Sequence, residues 1–258
     1  MTDLPFISCL CPTYRRPRLL ANSVACFLAQ DYPRDRRELI ILDDGGDFES
    51  QQQDNWQVIS ISRRFNSLPE KFNALAGLAA GDVLAVWEDD DVYLPWHLTA
   101  HACALEHLSV SKPSRVISTY PGHPIEENAE GRFHASIAFA REAFINCGGW
   151  PLTNRADFDQ QLLQRLSAVS EIADPCVSHS PSYVFRWATT GTYHAQSLMT
   201  SPDDEKWYER WGEQIPTTSD HPGVLFPELD RDTRSLLAVL NIQSTSLVEP
   251  VHRQSHVV

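Results

Sequence analysis

The sequence has no excess of basic residues, no long apolar run and no paired cysteine motif. Lys and Arg number 21 against 34 Asp and Glu, a formal net charge of −13 with neutral histidine. A field of that sign repels nucleic acid and anionic bilayers, which argues against either as the main partner. No stretch approaches the roughly 20 apolar residues of a bilayer span, so no integral membrane segment is expected. The opening Met1-Thr2-Asp3-Leu4-Pro5 lacks the basic start and long apolar core of a secretory signal, and an unexported, cytoplasmic chain is expected. Of six cysteines, Cys9 and Cys11 lie two apart in an apolar stretch; Cys26, Cys103, Cys147 and Cys176 are scattered, with no CxxC pairs to hold zinc. They read as reduced, structural thiols. No internal repeat is visible.

What is present is enough for a sizeable core. The chain has 258 residues, 42% of them hydrophobic, which fits one large or two small domains. Its first half alternates strand and helix signals. Phe6 to Cys11 is a short apolar run stopped by Pro12, and Pro17 opens a helical stretch to about Gln30. Leu39 to Leu42 reads as a buried strand, Gln57 to Ile61 as another, and Glu70 to Ala80 as a helix with Gly81 as its stop. Val83 to Trp87 is the next buried strand. The order β-α-β-β-α-β with near-continuous apolar strands describes an α/β, Rossmann-like, mostly parallel sheet flanked by helices in a single domain. Further on, Trp96 to Leu108 reads as a helix, Arg115 to Thr119 as a strand, Ile125 to Arg132 as polar loop and Phe133 to Ala140 as a strand. Arg141 to Asn146 and Asp157 to Val169 read as helices, Tyr183 to Trp187 as strand-like, and Asp232 to Asn241 as a last helix before a disordered tail.

Three polar clusters close the buried strands, where ligands of such sheets bind. Glu88-Asp89-Asp90-Asp91 follows the Val83 strand. Carboxylates at i and i+2 can face one hard cation, which takes oxygen ligands and shares them with phosphate; a solvated acidic turn is the alternative. Asp43-Asp44-Gly45-Gly46 can accept hydrogen bonds from a base or ribose, or be an ordinary turn. Pro12-Thr13-Tyr14-Arg15-Arg16 offers a ring for stacking and two cations just past the first strand.

Taken in order, these parts resemble the inverting family 2 glycosyltransferases with the GT-A nucleotide-diphospho-sugar fold. The ordered set is Pro12-Thr13-Tyr14-Arg15, Gln30-Asp31-Tyr32-Pro33, Leu42-Asp43-Asp44-Gly45, the Asn73 to Gly81 helix, Trp87 to Leu98, Gly148-Gly149-Trp150, and an acid-led helix at Asp157 or Asp159. The resemblance implies a GT-A domain over 1–200, with about 1–122 as nucleotide half and 123–200 as acceptor half, and residues 201–258 as a helical extension and tail. It implies Tyr14 against the nucleotide base beside Pro12, Thr13 and Arg16, and Asp43 or Asp44 on base or ribose. Lys71 and Asn73 fall near the donor. Counting back from Pro95, the family's Asp-any-Asp motif falls on Glu88-Asp89-Asp90. That makes Asp90 the direct ligand of Mn²⁺ or Mg²⁺ and puts Asp89 near the ribose or sugar, with Glu88 standing where the family has Asp. His194 sits where some relatives place a histidine on the metal or diphosphate; a solvated or core histidine is the alternative. The donor implied is a UDP- or GDP-sugar. The acceptor is a glycan, a lipid-linked or a small molecule, and a lipid-linked one would bring the chain to the inner face of the membrane.

The base of an inverting transfer is a carboxylate near the acceptor hydroxyl. Asp159 fits the family register with Leu162 and Arg165, although Phe158 precedes it where Glu is usual; Asp157 competes. Two residues apart at a helix start, they point about 200° apart. Asp159 falls on the inward side with Leu162, Leu163 and Leu166, whereas Asp157 suits an N-cap. Trp150 offers an acceptor platform or core packing equally. Two rival readings stay open: a nucleotide-sugar-binding protein with impaired catalysis, motivated by Glu88, Ala156 and Phe158, and a nucleotidyltransferase, ranked last because Pro12 to Arg18 has cations but no glycine.

Overall fold

The computed structural model describes residues 4–119, 123–187, 204–215 and 223–242. In chain order the strands are β1 (Ile7–Thr13), β2 (Arg37–Asp43), β3 (Gln51–Gln52), β4 (Trp56–Ser60), β5 (Val83–Val86), β6 (Val92–Tyr93), β7 (Val110–Ser111), β8 (Arg115–Ser118), β9 (Ile125–Asn128), β10 (Ala138–Ala140), β11 (Ile172–Ala173) and β12 (Tyr183–Phe185). The helices are α1 (Pro17–Leu28), α2 (Leu68–Leu78), α3 (His97–Ala104), α4 (Arg141–Asn146), α5 (Phe158–Ser167), α6 (Trp207–Gln214) and α7 (Arg231–Val239).

The larger sheet runs β11-β7-β10-β5-β1-β2-β4-β3. Its centre, β5-β1-β2-β4, is parallel, while β10 and β3 join antiparallel, so the sheet is mixed. Both faces are covered. Ile7, Cys9, Cys11, Leu39 and Ile41 enter one core cluster, and Leu10, Ile40 and Leu42 enter the other. That is why β1 and β2 are apolar without alternation. A smaller sheet, β6-β12-β8-β9, stands beside it.

Four sequence expectations are corrected. β1 continues past Pro12 to Thr13. Leu10 O accepts from Trp87 on the β5 side and its ladder with β5 ends at Val86, so Pro12 faces that side beyond the last pairing and its missing N–H breaks no bond. Gly81 does not stop α2. The helix ends at Leu78, and the guanidinium of Arg141 donates to the carbonyls of Ala76, Ala79 and Gly81. Gly81 is needed for close approach instead: a Cβ there would lie 2.7 Å from Phe6 O and Ser8 N. Ile125–Asn128 is an edge strand rather than loop, half-exposed and antiparallel to β8. The Phe133 to Ala140 strand is shorter than expected, because His134–Ser136 is a 3₁₀ turn.

Candidate functional site

The carboxyl ends of β1, β2 and β5 meet on one rim, and the polar clusters that follow them are wired together. After β5, Trp87 stacks on Tyr93 with centroids 3.9 Å apart, and the Tyr93 hydroxyl accepts from the Glu88 N–H at 2.7 Å. That tight turn directs the next three acids inward, and Asp89, Asp90 and Asp91 are all buried. Asp89 accepts from Thr13 Oγ1 at 2.7 Å and from Arg16 Nη2. Asp90 Oδ2 accepts from Arg16 Nη1 at 2.8 Å. Asp91 accepts from the Tyr183 hydroxyl and from the Arg186 N–H at 3.0 Å. Burial raises the Asp89 carboxyl to about 6 against the pull of Arg16. The Arg16 guanidinium is held firmly protonated by the charges of Asp89 and Asp90, although burial opposes it.

Ligand oxygens of Glu88, Asp90 and Asp91 lie within 4.8 Å of one another. Every donor is a carboxylate, the donor type that Mg²⁺ and Mn²⁺ prefer, so the residues fit a hard divalent cation. Asp91 joins this set although the sequence singled out Glu88, Asp90 and His194. His194 lies outside the described residues.

Lys71 connects the other two ends. Its Nζ donates to Thr13 O and to Asp44 Oδ1, both at 2.5 Å, and burial lowers its pKa while Asp44 opposes. Asp44 Oδ2 also accepts from the Phe65 N–H at 2.9 Å. Asp43 is committed to its own turn, accepting from the Gly45 and Asp47 N–H groups and from Ser60 Oγ. Neither aspartate lines the cleft.

That cleft, about 330 Å³, is lined on one side by Pro12, Thr13, Tyr14, Arg16, Lys71, Glu88 and Asp90, and on the other by Phe133, His134, Phe158, Asp159 and Trp187. A third wall comes from α6, whose Trp207, Tyr208 and Trp211 also line it. Read along the chain, Trp207 and Trp211 suit packing more than a site. The spacing of 207, 208 and 211 is the signal, because it places three rings on one side of a helix turn. Trp211 lies 6.4 Å from Tyr14 between ring centroids, the Arg16 guanidinium sits 4.9 Å over Trp211, and Arg64 lies between the rings of Tyr14 (4.4 Å) and Tyr208 (4.1 Å).

Asp159, in the first turn of α5, lines this cleft. Burial pushes its carboxyl up to about 6, with the Asp157 charge adding and the Gln160 N–H (2.7 Å) opposing. Asp157 occupies the N-cap position, but its side chain does not cap the helix. It accepts instead from Arg155 Nε and Nη2, both at 3.1 Å, and from Gln161 Nε2 at 2.8 Å, and the Arg155 hydrogen bonds hold its carboxyl below the usual range. Asn73 and Trp150 are joined to each other: Asn73 Nδ2 donates to Trp150 O and the Trp150 N–H donates to Asn73 Oδ1, each at 3.0 Å. The Trp150 ring is buried, stacked on Phe72 at 4.8 Å, and neither residue lines the main cleft.

Comparison with known proteins agrees with this architecture. The family model for glycosyl transferase family 2 matches residues 8–161. S. aureus TarS 1–349 in complex with UDP-GlcNAc superposes with a TM-score of 0.61 at 15% identity, covering 93% of this chain and 72% of that one. A second structure of TarS 1–349 gives 0.57 at 14% identity over 70% of this chain, which spans only 60% of the length of that one. The mannosyltransferase PcManGT from Pyrobaculum calidifontis, in complex with GDP-Man and Mn²⁺, gives 0.54 at 15% identity, covering 96% and 77%. At these identities the likeness is one of fold. No curated protein matches the sequence.

Proposed function

The chain belongs to glycosyl transferase family 2, and we propose that it is a metal-dependent, inverting glycosyltransferase moving a hexosyl group from a UDP- or GDP-sugar to an acceptor hydroxyl. The observation that carries this reading is that the acidic set of Glu88, Asp90 and Asp91 opens, through Glu88 and Asp90, onto the same cleft as Asp159. Glu88, Asp90 and Asp91 would hold Mn²⁺ or Mg²⁺, whose charge offsets that of the departing nucleoside diphosphate. Tyr14 offers its ring to the base, and Thr13 fixes Asp89 for the ribose or sugar. Asp159 accepts the acceptor's proton as the hydroxyl attacks the anomeric carbon opposite the diphosphate, which inverts configuration in one step. A carboxyl poised near 6 is mostly ionised at neutral pH yet basic enough to take a proton. Solved neighbours bound to UDP-GlcNAc and to GDP-Man with Mn²⁺ support the donor and cation classes. The acceptor is a glycan, a lipid-linked or a small molecule; none of the helices described is long and apolar enough to cross a membrane.

A thermal-shift screen of nucleoside diphosphates with and without Mn²⁺ tests this, since a ligand bound only by the native state raises its stability. UDP or GDP should raise the midpoint only when Mn²⁺ is present, and Asp90→Ala should abolish that dependence while leaving the unliganded midpoint nearly unchanged. An Asp90→Ala protein with the same Mn²⁺ dependence overturns the assignment.

A further inference from the structure

We infer that Arg16 is an exchangeable counter-ion: it neutralises Asp89 and Asp90 until a divalent cation takes Asp90, and then transfers to the donor diphosphate. The inference rests on the metal-site reading above and assigns Arg16 a role that the reading does not require.

Arg16 sits at the N-cap of α1, but its side chain does not cap the helix. Instead the guanidinium spans two successive carboxylates, Nη2 on Asp89 Oδ1 and Nη1 on Asp90 Oδ2. The planar fork of arginine suits this bridging, and a lysine could not reproduce it. Burying adjacent carboxylates without a cation is costly, because like charges at that spacing repel strongly at low dielectric. Arg16 therefore provides for these carboxylates the positive charge that a bound metal would provide.

The two cations would meet at one carboxylate. Asp90 belongs both to the Arg16 pair and to the set of oxygens that fits a divalent ion. A cation bound to Asp90 would lie within a few ångströms of the guanidinium, and their repulsion favours release of Arg16. Asp89 does not collapse when Arg16 leaves, because Thr13 Oγ1 still donates to its other oxygen. The face of Trp211, 4.9 Å from the guanidinium, gives the released cation a surface along the cleft wall. A nucleoside diphosphate in that cleft supplies oxygens that match the fork. Arg16 is thus a positioning and charge-balancing residue: it weakens metal binding before the donor arrives and holds the diphosphate afterwards.

This predicts effects of opposite sign, which a merely structural residue would not produce. Binding of Mn²⁺ alone, followed by electron paramagnetic resonance of the free ion, should be about tenfold tighter in Arg16→Gln than in wild type. Binding of UDP or GDP at saturating Mn²⁺, by calorimetry, should be roughly 10- to 100-fold weaker in the same variant. Arg16→Lys keeps the charge without the fork and should fall between for both ligands. Weakening of both affinities in Arg16→Gln, with Arg16→Lys behaving as wild type, overturns the exchange, as does unchanged Mn²⁺ affinity in Arg16→Gln. In either case loss of Mn²⁺ binding in Asp90→Asn leaves the metal site standing. Failure of Mn²⁺ to bind wild type and Arg16→Gln alike overturns the metal-site reading together with the exchange.

Discussion

Acidifying the protein from about pH 7.5 to about pH 5 should remove a large part of its stability, and two histidines of α3 supply the reason. His97 and His101 are fully buried one helical turn apart, with ring centroids separated by 4.5 Å. Their Nδ1 atoms face the hydroxyls of Ser182 and Ser111 at 2.9 and 2.8 Å, and Nε2 of each has no hydrogen-bond partner among the described residues. An imidazolium there would meet no carboxylate among the described residues. Burial accordingly lowers the pKa of His97 far below its ordinary value and that of His101 to about 3. In the unfolded chain both titrate near about 6.5. Between these values the unfolded state binds protons that the folded state refuses, so stability falls as pH falls; above about pH 7 both states are neutral and the pair contributes nothing. At pH 5 protonation favours the unfolded chain by about 2 kcal/mol per histidine, about 4 kcal/mol for the pair, within a typical total of about 5–15 kcal/mol. Asp159 and Asp89, whose carboxyls are raised, return part of this on acidification, while His134, lowered by burial to about 4, adds to the loss. Urea unfolding followed by tryptophan fluorescence, at several pH values, measures the slope. His101→Gln should be less stable near neutrality, yet lose about 1.4 kcal/mol less per pH unit below about pH 6. Equal slopes in wild type and variant would refute the reasoning.

Asp159→Asn should retain donor binding and lose roughly 10² to 10⁴ in turnover, with wild-type kcat/KM declining below about pH 6 as the carboxylate is protonated; a fully active variant assigns the base elsewhere. Asp157→Asn should cost about 1 kcal/mol or less, because its pair with Arg155 is partly exposed and its side chain is not a cap; denaturant titration and steady-state kinetics together separate it from Asp159. Gly81→Ala should destabilise by about 1–3 kcal/mol, since the new methyl meets backbone at Phe6 and Ser8 rather than a yielding side chain; an unchanged midpoint would show that β1 and the turn before β5 can separate freely.

The buried centre of the fold was legible because continuity and period report burial directly. Strands at Leu39 and Val83 and helices at Arg141 and Asp157 fall within a few residues of their expected ends. β9 was illegible for the same reason: Ile-Glu-Glu-Asn at a half-exposed edge has no apolar alternation to detect. The end of α2 was misread because its cap is tertiary, supplied by Arg141 from sixty residues away. At the site, the residue types and their strand-end positions could be read along the chain. Their partners could not, since Arg16 meets Asp90 across 74 residues and Asp91 meets Tyr183 across 92. α6 was missed because its three rings look like ordinary packing until Tyr14 and Arg64 are placed against them.

The position of β10 has a consequence for biosynthesis. β10 lies between β5 and β7 although it is the last of the three to be made. A nascent chain that has emerged only as far as β9 has β5 on its outer flank. There Leu84 and Val86 present open backbone groups, and Asp82 an open carbonyl, to any neighbouring polypeptide. Translation must reach Ala140 before that flank is sealed, and Arg141 then fastens the seal, with its N–H on Asp82 O and its guanidinium on the end of α2. Ribosome stalling or premature termination within residues 87–137 would therefore release a species prone to intermolecular β-pairing, and chaperone dependence should be concentrated in that window of synthesis.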